Sequence, residues 1–220
     1  MGPKYSWGRS AGTKTYQIKG LEPAEGDSFP LYIWLDGTTM PFNHALDRKQ
    51  MHAMVKRGYV AVQVDYYKYS YGSGWLGCSQ YEAKARSIFK GPESALAKLC
   101  ARPRVDCSKG IAVHGFSQGS HIAILGAKYS PQVKAALSYG NGVRTFGTSS
   151  YCMKDRYVSK YLPRSQRRYV AGSRDPIFGG LFSKYGTIRQ HRQLTGYKCG
   201  WSRFNCIQPD GSGYYLVSRS

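Results

Sequence analysis

Five consecutive residues carry the clearest chemical pattern in this 220-residue chain: Gly115-Phe116-Ser117-Gln118-Gly119. They follow a short buried-strand pattern, Gly110 to His114 (GIAVH), and lead into a helical pattern that runs from Ser117 to Lys128. A sharp strand-to-helix turn at this point forces Ser117 into strained backbone geometry and lifts its hydroxyl above the edge of a sheet. The flanking glycines suit such a turn because any Cβ there would meet the neighbouring strand or helix. The helix aims its N-terminal dipole at the serine, which favours negative charge developing there. A bare G-x-S-x-G is a weak signal. The strand, the turn and the helix in register give this one its weight.

Other residues that could do chemistry are fewer. The five histidines are His44, His52, His114, His121 and His191. His114 falls within the buried strand and reads as a core or hydrogen-bonded side chain, whereas His121 lies one helical turn past Ser117 and could flank it. Six cysteines, at 78, 100, 107, 152, 199 and 206, form an even set without a C-x-x-C pair, and the histidines do not cluster with them. No metal site and no cofactor is therefore expected. Cys100–Cys107 and Cys199–Cys206 share one spacing and are expected as disulfides, leaving Cys78–Cys152 as a long-range pair. Disulfides would place the protein outside the cell or in another oxidising compartment; six buried thiols in a cytosolic protein are the alternative. Residues Met1 to Trp7 contain no apolar signal segment.

The elements that must position these residues alternate. Strand patterns are read at Lys14–Gly20, Leu31–Leu35, Tyr59–Tyr66, Gly110–His114, Val133–Tyr139, Arg168–Ala171, Phe204–Ile207 and Tyr214–Val217. Helical patterns are read from Asn43, as N-cap, to Arg57, from Glu82 to Ala101 with a break at Gly91-Pro92, from Ser117 to Lys128, and over 178–191. Leu46, Met51, Met54 and Val55 are expected on the inner face of the first helix. Residues 140–165 read as a Gly/Ser/Thr-rich loop. Strands that recur with helices between them imply a mostly parallel sheet flanked by helices on both faces, here as one α/β domain over residues 1–220.

The chain carries 32 Lys and Arg against 12 Asp and Glu, a net charge of +20. Residues 151–220 hold 13 basic and 3 acidic side chains, whereas residues 1–50 are close to neutral. A basic surface attracts an anionic polymer or surface, or serves as a solvated face. No zinc finger, RNP motif or helix-turn-helix spacing is present, so no specific nucleic-acid module is expected. No apolar run reaches the ~18–20 residues of a transmembrane helix.

Gly-Phe-Ser-Gln-Gly resembles the serine-esterase version of the α/β-hydrolase superfamily, as found in carboxylesterases, acyl-protein thioesterases and dienelactone-hydrolase-like proteins. The resemblance covers nearly the whole chain in element order, with specificity confined to this motif. It implies a serine hydrolase that acts on a small-molecule or lipid-like ester through an acyl-enzyme at Ser117. It implies an oxyanion hole from the backbone amides of Gln118 and Thr38, although Asp36 stands where the family usually has histidine. Tyr169 to Pro176 is similar to the family's strand followed by Gly-x-x-Asp-Pro, which gives Asp175 the part of the triad acid; a helix N-cap is its other reading. The tyrosine-rich segment Tyr66–Tyr71, with Trp75, could line a substrate cleft or form a surface loop.

The family places its histidine in a loop after the last strand, where this sequence has no residues. Only His191 follows Asp175, and it is expected to face solvent on a helix. A C-terminally shortened chain, a non-catalytic relative that binds an anionic polymer or surface, and an unusually placed base are the three ways to reconcile this, the first being favoured. Ser117 and Asp175 are then expected on one edge of the sheet with no imidazole between them, and esterase activity is expected to be feeble.

Overall fold

The computed structural model describes residues 4–9, 15–68, 77–145, 148–173, 175, 177–178, 184–197, 205–207 and 213–217. In chain order the elements are β1 (Lys4–Arg9), β2 (Thr15–Leu21), β3 (Leu31–Leu35), α1 (Ala45–Val55), β4 (Val60–Val64), α2 (Cys78–Phe89), α3 (Ala95–Cys100), β5 (Ile111–Phe116) and α4 (Gln118–Tyr129). They continue as β6 (Val133–Tyr139), a short hairpin of β7 (Arg144–Thr145) and β8 (Thr148–Ser149), α5 (Asp155–Val158), β9 (Arg167–Gly172), α6 (Lys184–Thr195), β10 (Asn205–Ile207) and β11 (Gly213–Val217).

Among the described residues, nine strands form one sheet in the order β1-β2-β4-β3-β5-β6-β9-β11-β10. The six from β4 to β11 run parallel, and the antiparallel β1, β2 and β10 close the edges. Their burial explains the continuous apolar runs in the sequence, because a parallel sheet with helices on both faces hides every side chain. All five residues of β3 are buried: Leu31, Ile33 and Leu35 turn towards α2, α3 and α4, while Tyr32 and Trp34 turn towards Met51 of α1. The order β3-β5-β6-β9 brings the carboxyl ends of these four strands side by side. Among the described residues, no helix is long and apolar enough to cross a membrane.

Four local expectations differ from the structure. Helix α1 is capped by His44 rather than Asn43: the His44 side chain accepts from Leu46 N, and Asp47 Oδ2 accepts from His44 N at 2.7 Å. Because Asp47 takes the inward position four residues before Met51, Leu46 is rotated by one residue and lies 57% exposed. The last helix starts at Lys184 instead of 178, since Ile177 and Phe178 belong to a separate turn held by Asp175. The supposed loop of 140–165 contains the β7–β8 hairpin and α5.

Cys78–Cys152 and Cys100–Cys107 are disulfides, with Cα–Cα separations of 5.8 and 5.6 Å. The side chains of Cys199 and Cys206 lie outside the described residues. The first bridge ties the start of α2 to the segment before α5 across 74 residues of sequence. Closing so long a loop restricts the unfolded chain, so Cys78→Ser with Cys152→Ser is expected to cost about 2–4 kcal/mol. Urea denaturation checks this. A double variant with the parent's midpoint, or a parent insensitive to reductant, would contradict it.

Candidate active site

Strand β5 ends at Phe116, helix α4 begins at Gln118, and Ser117 between them has φ 51° and ψ −116°. A non-glycine residue in that region carries roughly 1–3 kcal/mol of strain and persists only where its surroundings over-determine it. Here they do. Ser117 N donates to Tyr139 O of the adjacent strand at 2.9 Å, and Ser117 O accepts from Ser120 N at 3.0 Å and Ser120 Oγ at 2.5 Å. The two glycines of the motif have a packing role. A Cβ on Gly119 would overlap Leu35 O and stand 2.5 Å from Asp36 O; one on Gly115 would overlap the Gly119 carbonyl and stand 2.5 Å from Ser120 N. The first turn of α4 can seat itself against β3 and β5 only without those carbons.

Asp175 lies on the same edge. Strand β9 ends at Gly172, whose carbonyl accepts from Asp175 N at 3.1 Å. Asp175 Oδ1 accepts from Ile177 N at 2.8 Å and Phe178 N at 3.0 Å, so the carboxylate does cap a local turn. Its other oxygen faces Gly140, the residue after β6: a Cβ built there would stand 3.9 Å from Asp175 Oδ2 and 4.0 Å from Ser117 N. Ser117 and Asp175 thus flank Gly140 at the carboxyl ends of β5, β6 and β9.

All five histidines lie within the described residues, and none hydrogen-bonds the Ser117 hydroxyl or the Asp175 carboxylate. His44 caps α1 and His52 is exposed on it. His114 Nδ1 pairs with Tyr32 OH at 2.8 Å inside the core, and burial lowers its pKa to about 4. His191 does not face solvent as expected. It is 1% exposed, edge-on to Tyr169, with its pKa lowered to about 3 by burial. With α6 starting at Lys184, positions 188, 191 and 194 form the inward stripe, and His191 is its middle member.

His121 is the histidine beside the turn. Its Nδ1 lies 3.2 Å from Ser117 O and its Nε2 3.2 Å from Gly142 O. Tyr81 stacks on its ring at 4.2 Å, and Phe178 of the Asp175 turn sits at 5.5 Å. Burial pushes its pKa down to about 4, against the two carbonyls, so at neutral pH it donates to one carbonyl at a time. It braces three segments together and does not act on the serine hydroxyl.

The loop after β3 carries Thr38, whose Oγ1 accepts from Gln118 Nε2 at 3.0 Å. The loop is anchored by Asp36, which is 1% exposed. Trp34 Nε1 donates to Asp36 Oδ1 at 2.8 Å and to Asp47 Oδ1 at 2.9 Å, Gln63 Nε2 donates to both carboxylates, and Lys68 Nζ stands 3.3 Å from Asp36 Oδ2. Tyr66 OH donates to the Asp36 carbonyl from a buried position, so this tyrosine is not part of a surface loop. Residues 69–76, including Tyr69, Tyr71 and Trp75, lie outside the described residues.

No protein-family model and no curated protein matches the sequence. Solved structures do match. A cold-adapted esterase from an Arctic intertidal metagenomic library superposes with a TM-score of 0.63 at 17% identity, over 98% of this chain and 83% of that one. A thermophilic esterase from Thermogutta terrifontis gives 0.58 at 17% identity, over 99% and 82%. DcsB, solved in complex with a substrate analogue, gives 0.51 at 16% identity over 66% of this chain, which spans only 46% of DcsB. The chain has the α/β-hydrolase fold.

Several residues of this hydrolase-fold edge carry no sequence motif. Gln63, Asp47, Lys68 and Lys84 converge only after folding. Lys84 did leave a trace: with Tyr81, Ala85 and Ile88 it occupies the buried stripe of α2, where a charge is unusual.

Two outcomes follow from this geometry. Gly119→Ala is expected to lose at least about 1–3 kcal/mol through forced displacement of α4 from β3, measured by chemical denaturation; a parental midpoint would contradict the close approach. Burial and the neighbouring Asp36 carboxylate raise the Asp47 pKa to about 6. The folded state therefore holds a proton that the unfolded state has released, and stability falls as pH climbs from about 4 through 6. That decline should be shallower in Asp47→Asn, and equal slopes for parent and variant would refute it.

Proposed function

We propose that this chain is a serine hydrolase that cleaves an ester bond through an acyl-enzyme on Ser117. The observation that carries the reading is the strained Ser117 turn with Asp175 across Gly140 on one sheet edge. The esterase activity of the matched Arctic and Thermogutta proteins agrees with it. Ser117 Oγ attacks the ester carbonyl carbon, and its proton passes by way of solvent to the oxygen of the departing alcohol. The backbone amides of Gln118 and Thr38 receive the negative charge that develops on the carbonyl oxygen, helped by the α4 dipole. The tetrahedral adduct collapses, the C–O bond to the alcohol breaks, and water then cleaves the acyl-serine. Asp175 is the acid of the triad position, its Oδ2 turned towards the space a base would share with Ser117.

Among the described residues, which include all five histidines, none hydrogen-bonds the Ser117 hydroxyl, so in this chain Ser117 keeps its proton near neutral pH and attacks slowly. The hole and substrate binding alone support a residual acceleration on the order of 10³–10⁴ over water. The substrate class proposed is a small-molecule or lipid-like ester. The two disulfides fit an oxidising compartment, where such bonds persist.

A fluorophosphonate probe is expected to label the intact parent slowly and to label Ser117→Ala not at all. Exogenous imidazole should accelerate labelling of the parent by accepting the Ser117 proton, and should do so less in Asp175→Asn. Labelling that survives Ser117→Ala, or a parent that never labels even with imidazole, would sink the reading.

A further inference from the structure

Lys84 lies in the interior of the protein, 8% exposed, with Ala85 and Ile88 beside it in the core. Its Nζ donates to Gln118 Oε1 at 2.9 Å and to the Lys68 carbonyl at 3.4 Å. The Gln118 side chain, 2% exposed, completes the cluster: its Nε2 donates to Thr38 Oγ1 at 3.0 Å and to the Lys68 carbonyl at 2.9 Å.

A side-chain amide has an acceptor end and a donor end, and here the ammonium decides which points where. With Oε1 on Lys84 Nζ, the NH₂ group meets two oxygens. Turned over, it would set NH₂ against an ammonium and an oxygen against the Lys68 carbonyl, losing both bonds in a buried place where an unmade bond costs most, and only the Thr38 hydroxyl, which can also donate, would keep a partner. The amide so oriented joins three segments: the loop after β3 through Thr38, the loop after β4 through Lys68, and the first residue of α4. Two of these, Thr38 and Gln118, supply the amides assigned above to the oxyanion hole.

Resting on that assignment, we propose that Lys84 is a positioning residue: its ammonium fixes the Gln118 amide, and through it the spacing of the Thr38 and Gln118 backbone donors. The bond is charge-assisted and so is stronger while Lys84 holds its proton. Burial lowers the Lys84 pKa to about 8, so the clamp weakens as pH rises through that value. The described titratable and charged groups around it are Tyr67, whose ring centroid is 5.7 Å from Nζ, Tyr81 on its own helix, Lys68, and Asp36 behind Lys68.

The test compares the parent with Lys84→Met and Lys84→Arg by two readouts. The first is the rate and pH profile of Ser117 labelling by a fluorophosphonate. Lys84→Met is expected to lower the maximal labelling rate about ten- to a hundredfold, the cost of a donor misplaced by up to about 1 Å. Half-saturation by the probe should stay within about twofold. The parent's loss of rate above pH 8 should vanish in Lys84→Met and move to higher pH in Lys84→Arg, which should recover most of the rate. The second readout is the NMR signal of the Gln118 side-chain amide and the Thr38 backbone amide, which needs no activity. Both should titrate near pH 8 in the parent, not in Lys84→Met. Parental labelling with a parental pH profile in Lys84→Met overturns the proposal, as do amide signals that titrate alike in both proteins. A parent that does not label at all, with amides that titrate as expected, instead faults the catalytic assignment and leaves the clamp supported.

Discussion

The close approach of the first turn of α4 to the ends of β3 and β5 is the constraint on which the rest of this molecule depends. Backbone meets backbone there, at Gly119 against the Leu35 and Asp36 carbonyls and at Gly115 against Gly119 itself. Helix and sheet come this near only where no side chain intervenes, and the chain must reverse within one residue to achieve it. Ser117 absorbs that reversal in its positive φ. Bonds to Tyr139 O and from Ser120 hold it in place, so the strain is retained. The residue is left half-buried at the sheet edge while its own amide is tied down.

A second set of interactions fixes the loop after β3. Asp36 is buried with donors on both oxygens, from Trp34, Gln63 and Lys68, and shares two of those donors with Asp47. Two carboxylates in one low-dielectric site cannot both ionise easily, and the balance falls on Asp47, whose pKa rises. The network is satisfied, and removing one partner of such a buried set costs about 3–5 kcal/mol because a charge is left without its complement. The Gln118 clamp adds a third tie from the α4 side. Thr38, two residues beyond the anchored Asp36, is held by the Gln118 amide.

The histidines show how a residue's chemistry is settled by what its element packs against. His191 shares the buried stripe of α6 with Ile188 and Leu194, which makes it a core side chain beside Tyr169. His121 comes close to Ser117, yet its nitrogens meet main-chain carbonyls and its ring is enclosed by Tyr81 and Phe178. Burial keeps both rings neutral.

The sequence alone determined the parallel α/β sheet, the Ser117 turn and the Cys100–Cys107 disulfide. These were legible because each depends on local pattern: apolar runs bounded by turn residues, glycines two positions either side of a serine, two cysteines seven residues apart around a turn; Cys78–Cys152 was reached by elimination. Tertiary structure decided everything that depends on which elements become neighbours. Gln63 and Asp47 meet Asp36, Lys84 meets Gln118, and Asp175 meets Gly140 across sequence separations that no periodicity encodes. Leu46 is exposed for a related reason. Hydrophobicity assigned it inward, but the inward position went to Asp47, because a carboxylate with donors from Trp34, Gln63 and the His44 amide is well placed in the interior, and the helix can present only one of two adjacent residues there.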